Sequence, residues 1–336
     1  MRITSADYFQ NDVSNFPMYI YYGGSTAWPD PSNPPDVVDS TLGRIASNND
    51  VLGLKRIFNT DVVSVLPRID WTSGTIYDEY TDDANIFDDK NPITNEYYKF
   101  YVVTDEFNVY KCLSNNDRAQ STTKPTGTTV TSFETPDGYK WKYMYTISSN
   151  DAFNYMSPNW IPCYTIYTND GSNQWNVEAA AIDGSIEHIV VTNGGASYNS
   201  NDLPTLTISG DGTGATGTVE IDDLTGTVSK INITNVGSGY TYATGVITGT
   251  TGIGATVRIV ISPEGGHGYD ARRELGATYK MIRIAVNGNE SGILPTGVTY
   301  RKAGILIEPL SLDAGAALTI GNTLLYQVGE TVTGAT

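Results

Sequence analysis

GSIEHIVVTNGGASY, residues 184–198, returns as GTVSKINITNVGSGY, residues 226–240, a shift of 42 positions. The shift carries Gly184, Ile186, Ile189, Thr192, Asn193 and Tyr198 onto Gly226, Val228, Ile231, Thr234, Asn235 and Tyr240. Gly214-Ala215-Thr216 recurs as Gly254-Ala255-Thr256 after a small loop contraction. Branched residues alternate with polar ones within each copy, the period of a strand with one buried face, and Gly/Asn pairs supply the turns. A unit of this kind buries its apolar face only against a related copy, so two tandem β units are expected, 184–225 and 226–263.

The composition around this repeat points the same way. Glycine makes up 34 of 336 residues, tyrosine 23, and charged residues only 17%, which favours short strands and tight turns over long helices. The fold expected is mainly β and multi-domain, with antiparallel sheets or a sandwich, one or two short helices in an N-terminal domain, and the glycine-rich repeat as an insertion. The boundaries expected are an aromatic-rich domain over 1–183, the repeat over 184–263, and a return to the parent domain with the start of a further β segment over 264–336. Gly334-Ala335-Thr336 echoes the closing triplet of the repeat, so the chain is expected to continue beyond Thr336 or to close against a neighbour.

Upstream, Tyr19 to Tyr22 reads as a strand closed by Gly23-Gly24, followed by a proline-rich loop beginning at Trp28. Residues 39–57 carry the best helix signal, with Asp39 or Ser40 as N-cap, Leu42, Ile45 and Ala46 at helical spacing, a stop at Asn48-Asn49, and a second turn near Val51 to Phe58. Strand-like runs follow at 62–66, 97–104, 108–113 and 140–147, and a polar Ser/Thr-rich excursion spans 114–135. Tyr139, Trp141, Tyr143 and Tyr145 share one parity, so one strand face is wholly aromatic, as core or as contact surface. Beyond the repeat, 281–286 and 304–310 resume the aliphatic alternation.

Charge narrows the partners. Twenty Lys and Arg against 37 Asp and Glu leave −17, which repels a phosphate backbone, so nucleic acid is not an expected partner. No stretch approaches the roughly 18 unbroken apolar residues of a membrane span, and residues 1–10 lack the apolar core of a signal peptide. Cys112 and Cys163 sit among apolar neighbours and read as buried thiols of a reducing compartment.

Candidate chemistry is sparse. Gly212-Thr-Gly214-Ala-Thr-Gly217 has dinucleotide-fingerprint spacing, but a strand continues where that fold needs a helix, so it reads as a turn. His267, in Gly265-Gly266-His267-Gly268, reads as part of a flexible, exposed hinge with no nucleophile or second ligand beside it. Asp78, Glu79, Asp82, Asp83, Asp88 and Asp89 lack the glycine and glutamate of an EF-hand and read as a solvated acidic loop. The glycosylation sequons at Asn232 and Asn289 carry little weight without a secretory route. No triad, carboxylate pair or phosphate loop stands out, so neither an enzyme nor a cofactor nor a metal is expected.

Four motifs in order, YIYYGGSTAWPDPSNPPDVVDSTLG (19–43), VLPRIDWTSGTIYDEY (65–80), VYKCL (109–113) and DGYKWKYMYTI (137–147), resemble the baseplate wedge subunit, gene product eight type, of T-even-like contractile-tailed bacteriophages. The resemblance covers roughly 19–166, with a fainter return at 281–310, and the repeat stands where that family has a different second domain. It implies a dimeric, β-rich, non-catalytic virion protein, assembled in the host cytoplasm, that joins other wedge proteins and rearranges before sheath contraction. The motif residues it singles out, as core or interface, are Trp28, Pro67, Arg68, Asp70, Trp71, Tyr77, Tyr110, Trp141, Tyr143 and Tyr145. The rival expectation is a receptor- or carbohydrate-binding β module of a tail fibre or adhesin, with Tyr198 and Tyr240 stacking on sugars.

Overall fold

Strand β1 (Met18–Gly23) is the centre of a three-stranded antiparallel sheet, flanked by β2 (Val51–Ile57) and by the far carboxy-terminal β16 (Lys302–Ile307). The computed structural model describes residues 2–24, 28–30, 33, 36, 40–249, 251–285 and 300–307. Two compact units emerge, one of Met1–Val63 with Lys280–Thr336, the other of Ser64–Tyr279. Their boundaries fall inside β3 (Val62–Pro67) and β15 (Tyr279–Ile282). The Asn289 sequon, the 334–336 echo and Asp39 lie outside the described residues.

In the first unit, α1 (Arg2–Asn15) forms where no helix was expected. Ala6, Phe9 and Val13 recur at helical spacing, and Phe9 and Val13 pack with Met18, Ile57 and Val62. Helix α2 (Thr41–Asn49) starts as read, with the Ser40 hydroxyl accepting from Gly43 N at 3.0 Å. The second helical turn expected near Val51 is instead β2. The backbone of β1 offers it a ladder over its whole length, and that pairing overrides a weak local preference. A short 3₁₀ turn (Asn59–Asp61) leads into β3.

The second unit is built on a four-stranded antiparallel sheet in the order β4 (Tyr101–Val103), β5 (Asn108–Ser114), β7 (Lys140–Thr146), β6 (Phe133–Glu134). Both of its faces are covered. Leu113, Val109, Tyr101 and Met144 belong to one core with Leu66 and Ile161, and Val102, Tyr110, Cys112 and Trp141 to another with Tyr77 and Val177. A strand buried on two sides must be apolar at successive positions, which is why these runs look continuous rather than alternating. The strand expected over 97–104 shortens to Tyr101–Val103 because Lys99 exchanges its backbone groups with Asp78 instead. Strand β8 (Trp160–Cys163) pairs with Ser64–Pro67 of β3, and α3 (Ser149–Tyr155), α4 (Asn173–Ala179) and α5 (Ala271–Leu275) are short capped helices.

The repeat forms six strands: β9 (His188–Ala196), β10 (Thr205–Gly210) and β11 (Thr213–Asp222) from the first copy, β12 (Thr227–Ser238), β13 (Ala243–Thr248) and β14 (Ile253–Val260) from the second. Each pairs with the other copy: β9 with β14, β11 with β12, β10 with β13. The registers share one irregularity, which falls after Thr256 in one ladder and after Thr216 in the other, and the β11–β12 ladder has a second after Glu220. Tyr198 N bonds Gly226 O at 3.0 Å and Tyr240 N bonds Gly184 O at 3.2 Å, the same contact made reciprocally. Two copies thus interlock about an internal two-fold and share one aliphatic core.

After the repeat the chain rejoins the aromatic core, where Ala271, Leu275 and Ala277 pack with Leu66 and Tyr145. The repeat is part of the 64–279 unit, tied to the aromatic region by Arg258 to Asp82 (2.8 Å) and Lys140 Nζ to Glu187 O (2.6 Å). The compact division therefore falls near residues 63 and 280 rather than at 183 and 264.

Candidate functional site

Nine of the ten motif residues converge in the 64–279 unit. Arg68 Nε donates to both carboxylate oxygens of Asp70 (2.9 and 3.0 Å), and Trp71 N bonds Val103 O, laying this strap along β4. Pro67 O accepts from Tyr101 Oη at 2.7 Å. Tyr77 donates to Asp70 O and accepts from Thr72 N at 2.6 Å, while its ring meets Trp141 edge-on. Trp141 stacks on Tyr139 at 5.4 Å, and Tyr110 meets Tyr143 edge-on at 5.9 Å. Trp141, Tyr143 and Tyr145 are at most 1% exposed, so the aromatic face is core rather than contact surface. Tyr145 parts from its neighbours in parity, because the ladder slips between Val109 and Tyr110 and seats it in the opposite core. Trp28 lies in the other unit, half-buried under the Arg301 guanidinium.

The polar tips of these rings hold the irregular excursion between β5 and β7. Tyr110 Oη donates to Gly127 O (2.8 Å), Tyr139 Oη to Ala119 O (2.6 Å), and Trp71 Nε1 to Ser121 Oγ (3.1 Å). Burial pushes the Tyr110 phenol up to about 12 and raises Tyr77, Tyr139 and Tyr143, so all stay protonated donors. Cys112 and Cys163 are free and buried, with thiols likewise pushed up by burial.

His267 is not in an exposed hinge. It is 2% exposed, its Nδ1 lies 3.0 Å from Lys111 Nζ, and its ring meets Tyr80 edge-on. Lys111 Nζ also donates to Glu274 Oε2 at 2.8 Å and sits 4.0 Å over the Tyr80 ring, which occupies all three of its hydrogens. Glu274 Oε1 accepts from Gly268 N (2.7 Å) and Asp270 N (3.2 Å). Burial works to raise the Glu274 carboxyl, but the Lys111 ammonium beside it more than offsets this, and the carboxyl is held at about 2. Burial and the neighbouring ammonium lower His267, which is therefore a neutral acceptor at Nδ1. The group is closed: the Lys111 and Glu274 side chains are 0% and 2% exposed and spend their contacts on one another, the Tyr80 ring and the 267–270 loop. It acts as a charged clasp on the returning chain.

The acidic residues share one irregular segment, in which Asp82, Asp83, Asp88 and Asp89 are exposed as expected but Asp78 and Glu79 are not fully solvated. Asp78 is buried and accepts from Asn91 and Lys99 N, whereas Asp82 and Asp83 engage Arg258. Glu79 lies 3.7 Å from His188 Nε2, its carboxyl raised by burial. These two line an open cleft of about 1000 Å³ whose walls are the Asn115–Arg118 turn and strands β9 and β12. Tyr198 and Tyr240 are each 6% exposed, pressed on Gly252 and Gly212, with their hydroxyls near Ala255 N and Ala215 N; neither ring is open to a sugar. Gly214, in the fingerprint-like run, takes φ +85° within β11, and the strand continues.

Sequence reasoning passed over Lys111, Glu274 and the cleft. A lysine at the centre of VYKCL was a usable signal, since a cation in a strand buried on both faces demands a counter-charge. No protein-family model matches the chain, and no curated protein matches it.

Proposed function

We propose that the chain is a structural component of a phage contractile-tail baseplate wedge, acting through assembly with a second copy and with neighbouring wedge proteins. One observation carries the reading: on one face of the β16-β1-β2 sheet, Leu54 (41% exposed) and Leu306 (37%) flank Tyr19 and Tyr21 beside the exposed Arg56, an amphipathic stripe suited to a protein partner. The outer edges of β2 and β16 carry no strand partner among the described residues, which adds a second route to pairing. The four ordered motifs support the tail assignment, and their residues make a rigid, polar-pinned core of the kind a load-transmitting part requires. Sedimentation of the full chain tests it, alone and with purified tail particles. The expected result is a dimer that Leu54→Glu converts to monomer, and the chain in the baseplate fraction; a monomer at every concentration, absent from tails, overturns it.

A further inference from the structure

The cleft between the Asn115–Arg118 turn and the repeat holds an arrangement that packing alone does not require. Asn116, Asp117 and Arg118 are successive residues with φ of 51°, 53° and 62°. Left-handed backbone disfavours L side chains, is rarely sustained beyond one residue, and concentrates where function requires it. Glycine would sit there freely, and this chain uses glycine at comparable turns such as Gly74 and Gly127, where a side chain would meet nothing. The Asp117 and Arg118 side chains make no hydrogen bond or ion pair with any described residue, so the strained turn presents them rather than spending them on the fold. Asn115 holds the turn from beneath, its amide donating to Tyr77 O (3.1 Å) and accepting from Arg118 N (3.0 Å).

Across the cleft stand Thr192, Asn193 and Asn232, with the half-buried Tyr98 on the near wall. The Asp117 carboxylate and Arg118 guanidinium, with the bonding capacity left to Thr192, Asn193 and Asn232 after their bonds to Thr256, Gly195 N and Glu220, offer the mixed donors and acceptors that match vicinal hydroxyls, and a tyrosine suits the apolar face of a pyranose. The lining sets five carboxylates, Asp78, Glu79, Asp117, Glu134 and Glu187, against Arg118, Lys140 and Lys230, and the chain carries −17, a balance that disfavours phosphates and nucleotides.

We propose that this cleft binds a short neutral oligosaccharide, with Asp117 and Arg118 on one side of the sugar and β9 and β12 on the other. The site differs from a stacking platform on Tyr198 and Tyr240, and it stands apart from the assembly reading, which sedimentation decides separately. The test is an array of neutral and acidic oligosaccharides of two to six units, probed with the full chain and with Asp117→Gly. Glycine adopts the turn without strain, so the variant keeps the fold, with a thermal midpoint equal to or above that of the parent. The expected result is retention of one or more neutral oligosaccharides by the parent and at least tenfold weaker retention by Asp117→Gly. A parent that retains none, one that retains only acidic sugars, or a variant that binds as well as its parent overturns the proposal.

Discussion

The aromatic half and the glycine-rich half of the 64–279 unit hold irregular backbone in opposite ways. Around β5 and β7 the side chains are large and carry polar tips, and Tyr110, Tyr139 and Trp71 reach 17 to 50 residues along the chain to fasten loop atoms. In the repeat the side chains are small and the constraint is backbone symmetry, with each strand finding its partner in the other copy. The aromatic half also encloses ionised groups at Lys111 and Glu274, whereas the shared core of the repeat is aliphatic with two tyrosines. One half depends on a few irreplaceable side chains, the other on many equivalent small contacts.

The sharpest way to break that contrast is to remove one member of the buried pair. Glu274→Gln leaves the Lys111 ammonium inside with no counter-charge, and losing one partner of such a pair costs about 3–5 kcal/mol. Guanidinium unfolding followed by tryptophan fluorescence should show this loss, and the double change Lys111→Met with Glu274→Leu should recover much of it. A neutral Glu274→Gln would mean the clasp does not hold the returning chain.

The repeat calls for paired substitutions. A Cβ on Gly212 would come 2.4 Å from the Tyr240 ring and one on Gly252 2.2 Å from the Tyr198 ring. Each Gly→Ala should cost about 1–3 kcal/mol through overpacking. The informative quantity is the difference between the two, expected within about 0.5 kcal/mol if the copies are mechanically equivalent. A large asymmetry would show that the aromatic region, not the internal two-fold, sets the stability of the repeat.

These cases also show why the repeat was legible in sequence and the site was not. Ile186, Ile189, Val228 and Ile231 announce their burial by a local period, and the 42-residue shift predicts which strands are equivalent; the Ser40 cap was likewise readable from its own residues. The partners of Lys111 lie 156 and 163 residues away at His267 and Glu274, a separation that no local pattern encodes. Glycines around His267 resemble a hinge, but Gly266 and Gly268 hold φ of 97° and 94° at close approaches to Ile182 and Val177. The left-handed turn at Asn116–Arg118 was equally hidden, because it is stabilised by Asn115 rather than marked by glycine. Strand β2 was missed for a related reason: its ladder partner, not its own residues, decides its conformation.

The smallest expected effect lies where the two halves meet, at His188. Its imidazole is lowered to about 3, first by burial and then by Lys140, Arg258 and Lys230. Glu79, 3.7 Å away, pulls the other way, but burial raises its own carboxyl and weakens that support. The folded chain therefore keeps His188 neutral while the unfolded chain protonates it near pH 6.5, so the unfolded state binds more protons and stability falls as pH drops from about 6.5 towards 3. By pH 5.5 the loss from this residue is about 1 kcal/mol relative to pH 7. His188→Gln removes the proton uptake, so its unfolding midpoint should change less between pH 7 and 5.5 than that of the parent. Glu274 contributes nothing in this window, because its carboxylate stays ionised in both states until the pH approaches about 4.3. Equal slopes for parent and variant would place the acid sensitivity in His267 and the clasp, on the aromatic side of the junction.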